Sequence, residues 1–132
     1  YEAPVEAYAP VYRFIRKNSA CFDGFEDVSG AGAEGGVAIE SPKGTLAVAR
    51  RSAGGAVGIH GLNTDYDASA KRLRPASNVS VAFPASLSGS KASRVRLLSY
   101  DAEPATIPLV ASGEELRLDL PQLRTWTLAV LE

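Results

Sequence analysis

The sequence predicts a mainly β protein: an antiparallel β-sandwich of about seven or eight strands, preceded by one short helix. Three observations predict it. Apolar residues alternate with small or polar ones at period two through most of the chain. Glycine and proline turn signals recur at short intervals, and no helical periodicity follows residue 36.

The helix comes first, in a segment (residues 1–34) that reads as helix plus connector, with the sandwich in residues 35–132. Pro10 suits a first helical turn, because its missing N–H would have no intrahelical partner there. Val11, Phe14 and Ile15 then fall on one face, Arg16 and Lys17 complement the dipole, and Asn18 caps the end. The spacing predicts a helix near residues 10 to 18, too short to persist unless its apolar stripe docks on something.

In the sandwich, Leu46 and Val48 alternate with Ala47 and Ala49, and Val57 and Ile59 with Gly58 and His60. Val79, Val81 and Phe83 follow the same rule, then Leu116, Leu118 and Leu120, then Trp126, Leu128 and Val130. Alternation leaves one face of each strand wet, so Leu116, Leu118, Trp126, Leu128 and Val130 are expected to share one core. Ser41-Pro42-Lys43-Gly44 reads as a type I turn with proline second, and Gly54-Gly55, Ser112-Gly113 and Asp101 through Pro104 mark further reversals.

Composition removes several classes of function. The 132 residues suit one domain, with 45% hydrophobic and 22% charged residues. No run approaches the roughly 18 apolar residues of a membrane span. A net charge of -1 with interspersed signs gives no footprint for nucleic acid. Cys21 is the single cysteine, so no intrachain disulfide forms. The chain starts at Tyr1, and its first residues read as the tail of a longer polypeptide.

Catalytic chemistry is poorly served. Gly30-Ala31-Gly32-Ala33-Glu34-Gly35 matches the letters of a dinucleotide fingerprint, but a strand follows it where that chemistry needs a helix N-terminus. His60, the only histidine, reads as a half-buried strand residue with a satisfied hydrogen bond. One His and one Cys fall short of a zinc ligand set. Glu26 with Asp27, in the connector, and Glu114 with Glu115, on a hairpin, read as solvated pairs. Neither a catalytic residue, a metal site nor a cofactor is expected.

One polar cluster stands out as a ligand-binding candidate: Asn63, Asp65, Tyr66 and Asp67, directly after a strand. Alternate oxygens there resemble the start of a calcium loop, but Ala68 stands where its glycine belongs and Arg74 where its terminal glutamate belongs. The competing reading is a loop whose Asn and Asp side chains bond neighbouring backbone N–H groups. Tyr66 could stack on a sugar ring. Trp126 shares a face with Leu128 and Val130 and reads as packed rather than displayed. Asn78-Val79-Ser80 is formally a glycosylation sequon within a strand.

The order of features resembles the C-terminal end of bacterial glycoside hydrolases built on a (β/α)8 barrel. Pro10 to Asn18 looks like a last barrel helix, and Phe22-Asp23-Gly24-Phe25-Glu26 is similar to the segment leaving it. Ala56 to Asn63 resembles a strand of the trailing sandwich, and Leu120-Pro121-Gln122-Leu123-Arg124-Thr125-Trp126 resembles its closing strand. The style is nearest to family 66-like enzymes. The resemblance implies a non-catalytic accessory domain, packed on an upstream catalytic domain of the same polypeptide through Val11, Phe14 and Ile15. It carries over no catalytic residue, since the acids of such enzymes lie on barrel strands. An extracellular or cell-envelope location follows from it alone. The other open reading is an independent carbohydrate-binding or cell-surface module, which would display at least two coplanar aromatic rings.

Overall fold

The computed structural model describes residues 4–29, 39–88 and 92–132. The first element is helix α1 (Val5–Lys17), which starts a turn and more before the expected point. Pro4, extended at φ -63 and ψ 148, is its N-cap, and Pro10 lies inside the helix rather than at its first position. An interior proline removes one backbone hydrogen bond and costs about 3 kcal/mol, so packing must hold the helix together. Asn18 ends it: its backbone N–H and its Nδ2 both donate to the Phe14 carbonyl, at 3.1 and 2.9 Å.

Among the described residues eleven strands follow, seven of them six residues or longer. They are β1 (Phe25–Asp27), β2 (Thr45–Ser52), β3 (Val57–Asn63), β4 (Tyr66–Asp67), β5 (Arg72–Leu73) and β6 (Ala76–Pro84). The rest are β7 (Arg94–Ser99), β8 (Ala102–Pro108), β9 (Val110–Ser112), β10 (Glu115–Leu123) and β11 (Trp126–Leu131). Six make one sheet in the order β1-β2-β3-β11-β7-β8, three make a second in the order β6-β10-β9, and β4 with β5 forms a small ribbon. Every pairing is antiparallel. The fold class is the expected one. Phe25–Asp27, read in sequence as connector, is the edge strand of the large sheet, and the next residue, Val28, is buried in the core.

The two sheets face each other across the principal core. Val79, Val81, Phe83, Leu116, Leu118, Leu120 and Leu123 of the small sheet meet Ala49, Ile59, Val95 and Ala129 of the large one. The leucines and Phe83 of the small sheet thus pack on a large-sheet layer that includes Ala47, Ala49 and Ala129, small side chains that let the layers approach closely. Residues flanking Leu128 along β11 explain a correction. Thr127 and Ala129 point into this core, so Trp126, Leu128 and Val130 point the other way.

There they form a second core with Phe14, Leu98, Ile15, Cys21 and Phe22, roofed by α1. The single core expected for Leu116, Leu118, Trp126, Leu128 and Val130 is therefore two cores on opposite sides of one sheet. The expected outward stripe of Val11, Phe14 and Ile15 is corrected by the same fact for Phe14 and Ile15, while Val11 belongs to neither core. Phe14 is buried and Ile15 half-buried against this chain's own sheet, because that sheet presents an apolar face that would otherwise meet water. The inward parity of β2 is likewise reversed: Ala47 and Ala49 are buried, while Leu46, beyond the reach of the helix, is 50% exposed.

Two turns also shift. The Thr45 backbone N–H and hydroxyl reach the Pro42 carbonyl, and Gly44 takes φ +84, the left-handed value of the third position in a type II turn. Pro42 is thus first in the turn, not second. The reversal near Asp101 is made by Tyr100 and Asp101, with Pro104 inside β8. Gly55 and Gly113, at φ +90 and +63, sit in the two hairpins foreseen for them. The fingerprint-like stretch Gly30 to Gly35 lies outside the described residues.

Candidate functional site

The polar cluster after β3 is built around Asn63, which is buried. Its Nδ2 lies 2.6 Å from the Arg74 carbonyl, 3.0 Å from that of Arg124 and 3.3 Å from that of Leu123, while its Oδ1 accepts from the Asp65 N–H at 2.9 Å. One amide thus ties the β4–β5 ribbon to the end of β10. Arg74 gathers both acids, with Nη1 2.8 Å from Asp65 and Nη2 3.3 Å from Asp67. Asp67 also accepts from the Ser69 and Ala70 N–H groups. Tyr66 stands exposed beside them. The side chains thus make the intraloop bonds of an Asx-rich turn. Among the described residues no group of three or more His, Cys, Asp or Glu side chains is placed to hold a metal ion.

His60 lies in the second core. It stacks on Trp126 with ring centroids 5.8 Å apart, tilts against Phe22 at 5.7 Å, and its Nδ1 accepts from Trp126 Nε1 at 3.1 Å. That bond fixes the neutral tautomer with its proton on Nε2. Burial, with the nearby Arg50 guanidinium second, lowers its pKa to about 4. Phe14 meets both Phe22 and Trp126 edge to face, at 6.2 and 5.2 Å. These rings are packed, as expected for Trp126, and offer no flat platform.

The acid pairs singled out in sequence lie at the surface. The backbone N–H and hydroxyl of Ser29 hold Asp27 below the usual carboxylate range, and Glu114 and Glu115 are exposed on the β9–β10 hairpin. On the outer face of the small sheet, the Ser80 hydroxyl lowers the pKa of Asp119 with help from Arg117.

One groove among the described residues was not foreseen. A groove of about 770 Å³ runs between the β7–β8 turn and the end of β10, with Tyr100, Asp101 and Glu103 on one side and Gln122 and Arg124 on the other. It exists because β9 covers β10 only from Glu115 to Arg117, so the rest of that edge faces β8 without pairing to it. A second groove, of about 370 Å³, lies between this turn and α1 and shares Ser99, Tyr100, Ala102 and Glu103 with the first. Arg13 and Lys17 line its helix side. Tyr100 and its neighbours form the saddle between the two.

No family model matches the sequence. No curated protein matches it either. Among solved structures, the fold is similar to part of a cycloisomaltooligosaccharide glucanotransferase from Paenibacillus sp., with a TM-score of 0.68 and 18% identity, over 95% of this chain and 20% of that one. An alpha-L-fucosidase isoenzyme 2 from Paenibacillus thiaminolyticus aligns with 71% of this chain and 15% of its own, at 20% identity and a TM-score of 0.48. This chain thus spans about a fifth of the glucanotransferase, and what the two share is the fold of an antiparallel sandwich with its preceding helix.

Proposed function

We propose that this chain is a non-catalytic accessory domain of a larger carbohydrate-active protein, packing against its catalytic domain and stabilising it. The observation that carries the reading is the second apolar face of α1. Val5, Tyr8 and Tyr12 follow one another at helical spacing and are 60%, 40% and 61% exposed, while Phe14 on the other side is buried in the chain's own core. The helix is an interlayer with one face covered and one open. Covering the open face would contribute about 1.5–3 kcal/mol per large apolar side chain. The occupant proposed is the catalytic domain of the same polypeptide, since a similar fold makes up one fifth of the glucanotransferase chain. Helix α1 then serves as the joint.

The titratable groups agree with a non-catalytic role. His60 is held neutral behind Trp126, and Asp65, Asp67 and Glu132 are engaged in surface ion pairs with arginines. The test is made on the full-length protein. Tyr8→Ser with Tyr12→Ser should lower the melting temperature of the catalytic domain and expose the joint to protease, while the sandwich stays folded. Unchanged melting and unchanged cleavage would sink the reading.

A further inference from the structure

We propose that the groove along the β7–β8 turn is a binding site for a neutral oligosaccharide, bound through Tyr100, Asp101, Gln122 and Arg124. The inference rests on the reading of a carbohydrate-active protein and adds to it a site and a ligand class.

Shape comes first. The main groove, about 770 Å³, lies within the roughly 300–1,000 Å³ of small-molecule sites. It adjoins the smaller groove beside α1 through the shared Ser99, Tyr100, Ala102 and Glu103, so the two lie side by side as a trough around this turn. A trough suits a chain ligand that runs on past its contacts.

The lining then selects the chemistry. Asp101 and Glu103 accept hydrogen bonds, Arg124 donates, and Gln122 does both. Arg124 Nε lies 3.3 Å from Gln122 Oε1, and the Ser99 hydroxyl donates to Asp101, so both walls are partly pre-organised. Opposed acids and a guanidinium leave little net field for a polyanion to follow. Groups of both kinds, closely spaced, match the vicinal hydroxyls of a sugar, each of which donates and accepts. Tyr100 supplies an aromatic surface at the saddle, steadied by its packing against the second core. Ala102, Ala105 and Pro121 add apolar floor for the C–H faces of a pyranose ring.

The strand edges argue against the obvious alternative, an extended peptide added as a strand. Such a peptide needs free backbone donors along an edge. Pro104 and Pro108 interrupt the β8 edge and Pro121 the β10 edge, and proline has no N–H to give.

The test titrates the 15N-labelled 132-residue chain with isomaltoheptaose, maltoheptaose and cellopentaose, read by amide chemical shifts. At least one sugar should give saturable shifts confined to residues 99–103 and 122–127. Gln122→Ala with Arg124→Ala, both at exposed positions, should weaken that binding by about tenfold or more. Asp101→Asn should weaken it independently, and Tyr66→Ala should leave it intact. Absence of saturable shifts with all three sugars, shifts centred elsewhere, or full affinity in the folded double variant would overturn the site. Failure here with a positive result for Tyr8 and Tyr12 in the full-length protein removes only the groove. Binding here with no effect there removes only the docking role.

Discussion

At the scale of single residues, His60 shows how the second core governs chemistry. Its side chain is mostly covered by Phe22 and Trp126, so the cationic form loses hydration, and Arg50 adds like-charge repulsion. Protonation at Nδ1 would also turn the acceptor of the Trp126 indole into a second donor. The folded pKa, about 4, lies below the ordinary 6.5. The stability tied to the neutral ring is therefore fully present above about pH 6.5 and lost as pH falls towards 4. The surface acids Asp27 and Asp119 shift downward from 3.8, so their losses lie at still lower pH. Thermal melts between pH 7 and 4 should show the melting temperature falling across the histidine window. His60→Gln keeps an acceptor for Trp126 and should flatten that slope; an unchanged slope would show that another group titrates there. The half-buried strand histidine was legible in sequence. Its partner was not, because Trp126 lies 66 residues away and only the β3–β11 pairing brings it near. Asn63 repeats the point: its bond to Asp65 is local, while those to Leu123 and Arg124 cross the fold.

Among the elements, α1 carries the clearest lesson. The sequence showed a helix, its C-cap and the residues of its apolar face, but its start was misplaced because Pro10 is a better signal of a beginning than of a middle. Nor could it show which surface would cover Phe14. Alternation in β11 left both faces apolar or neutral, with Trp126, Leu128 and Val130 on one and Thr127 and Ala129 on the other. A strand buried on both sides gives no wet face from which to infer direction. Phe14→Ala should cost about 3 kcal/mol in denaturant unfolding and speed amide exchange throughout α1, leaving β6 and β10 protected. A loss under about 1 kcal/mol with unchanged exchange would mean that the helix is held by something other than this ring.

For the whole molecule, the fold class and five of the seven long strands were readable from period and turns, whereas β7, β8 and the strand order were not. The order β1-β2-β3-β11-β7-β8 places the last strand in the middle of the sheet, a long-range choice that local patterns do not encode. The groove was hidden for the same reason, since it joins β7 and β8 to β10 across the gap left by a three-residue β9. Openness of this kind leaves β8 as an exposed edge, a standing risk for pairing between copies. Pro104 and Pro108 punctuate that edge. Pro104→Thr with Pro108→Thr should restore two backbone donors and raise self-association in sedimentation velocity. A monomer at all concentrations would show that the edge is protected by twist or by neighbours instead.

Strand β3 has glycines on both of its faces, and together they set the thickness of the layered molecule. A Cβ at Gly58 would stand 3.1 Å from Leu128 on the helix side, and one at Gly61 would stand 3.4 Å from Leu120 on the sandwich side. Each hydrogen therefore acts as a shim of minimum width between a central strand and one neighbouring layer. Leu128 also belongs to the cluster that seats Phe14, so pressure from Gly58 is passed on to the helix, while pressure from Gly61 is passed to the small sheet. The spacing on the two sides is thus adjusted separately, from two positions three residues apart on one strand. The layer beneath the helix can therefore be tuned through Gly58 without disturbing the packing between the two sheets.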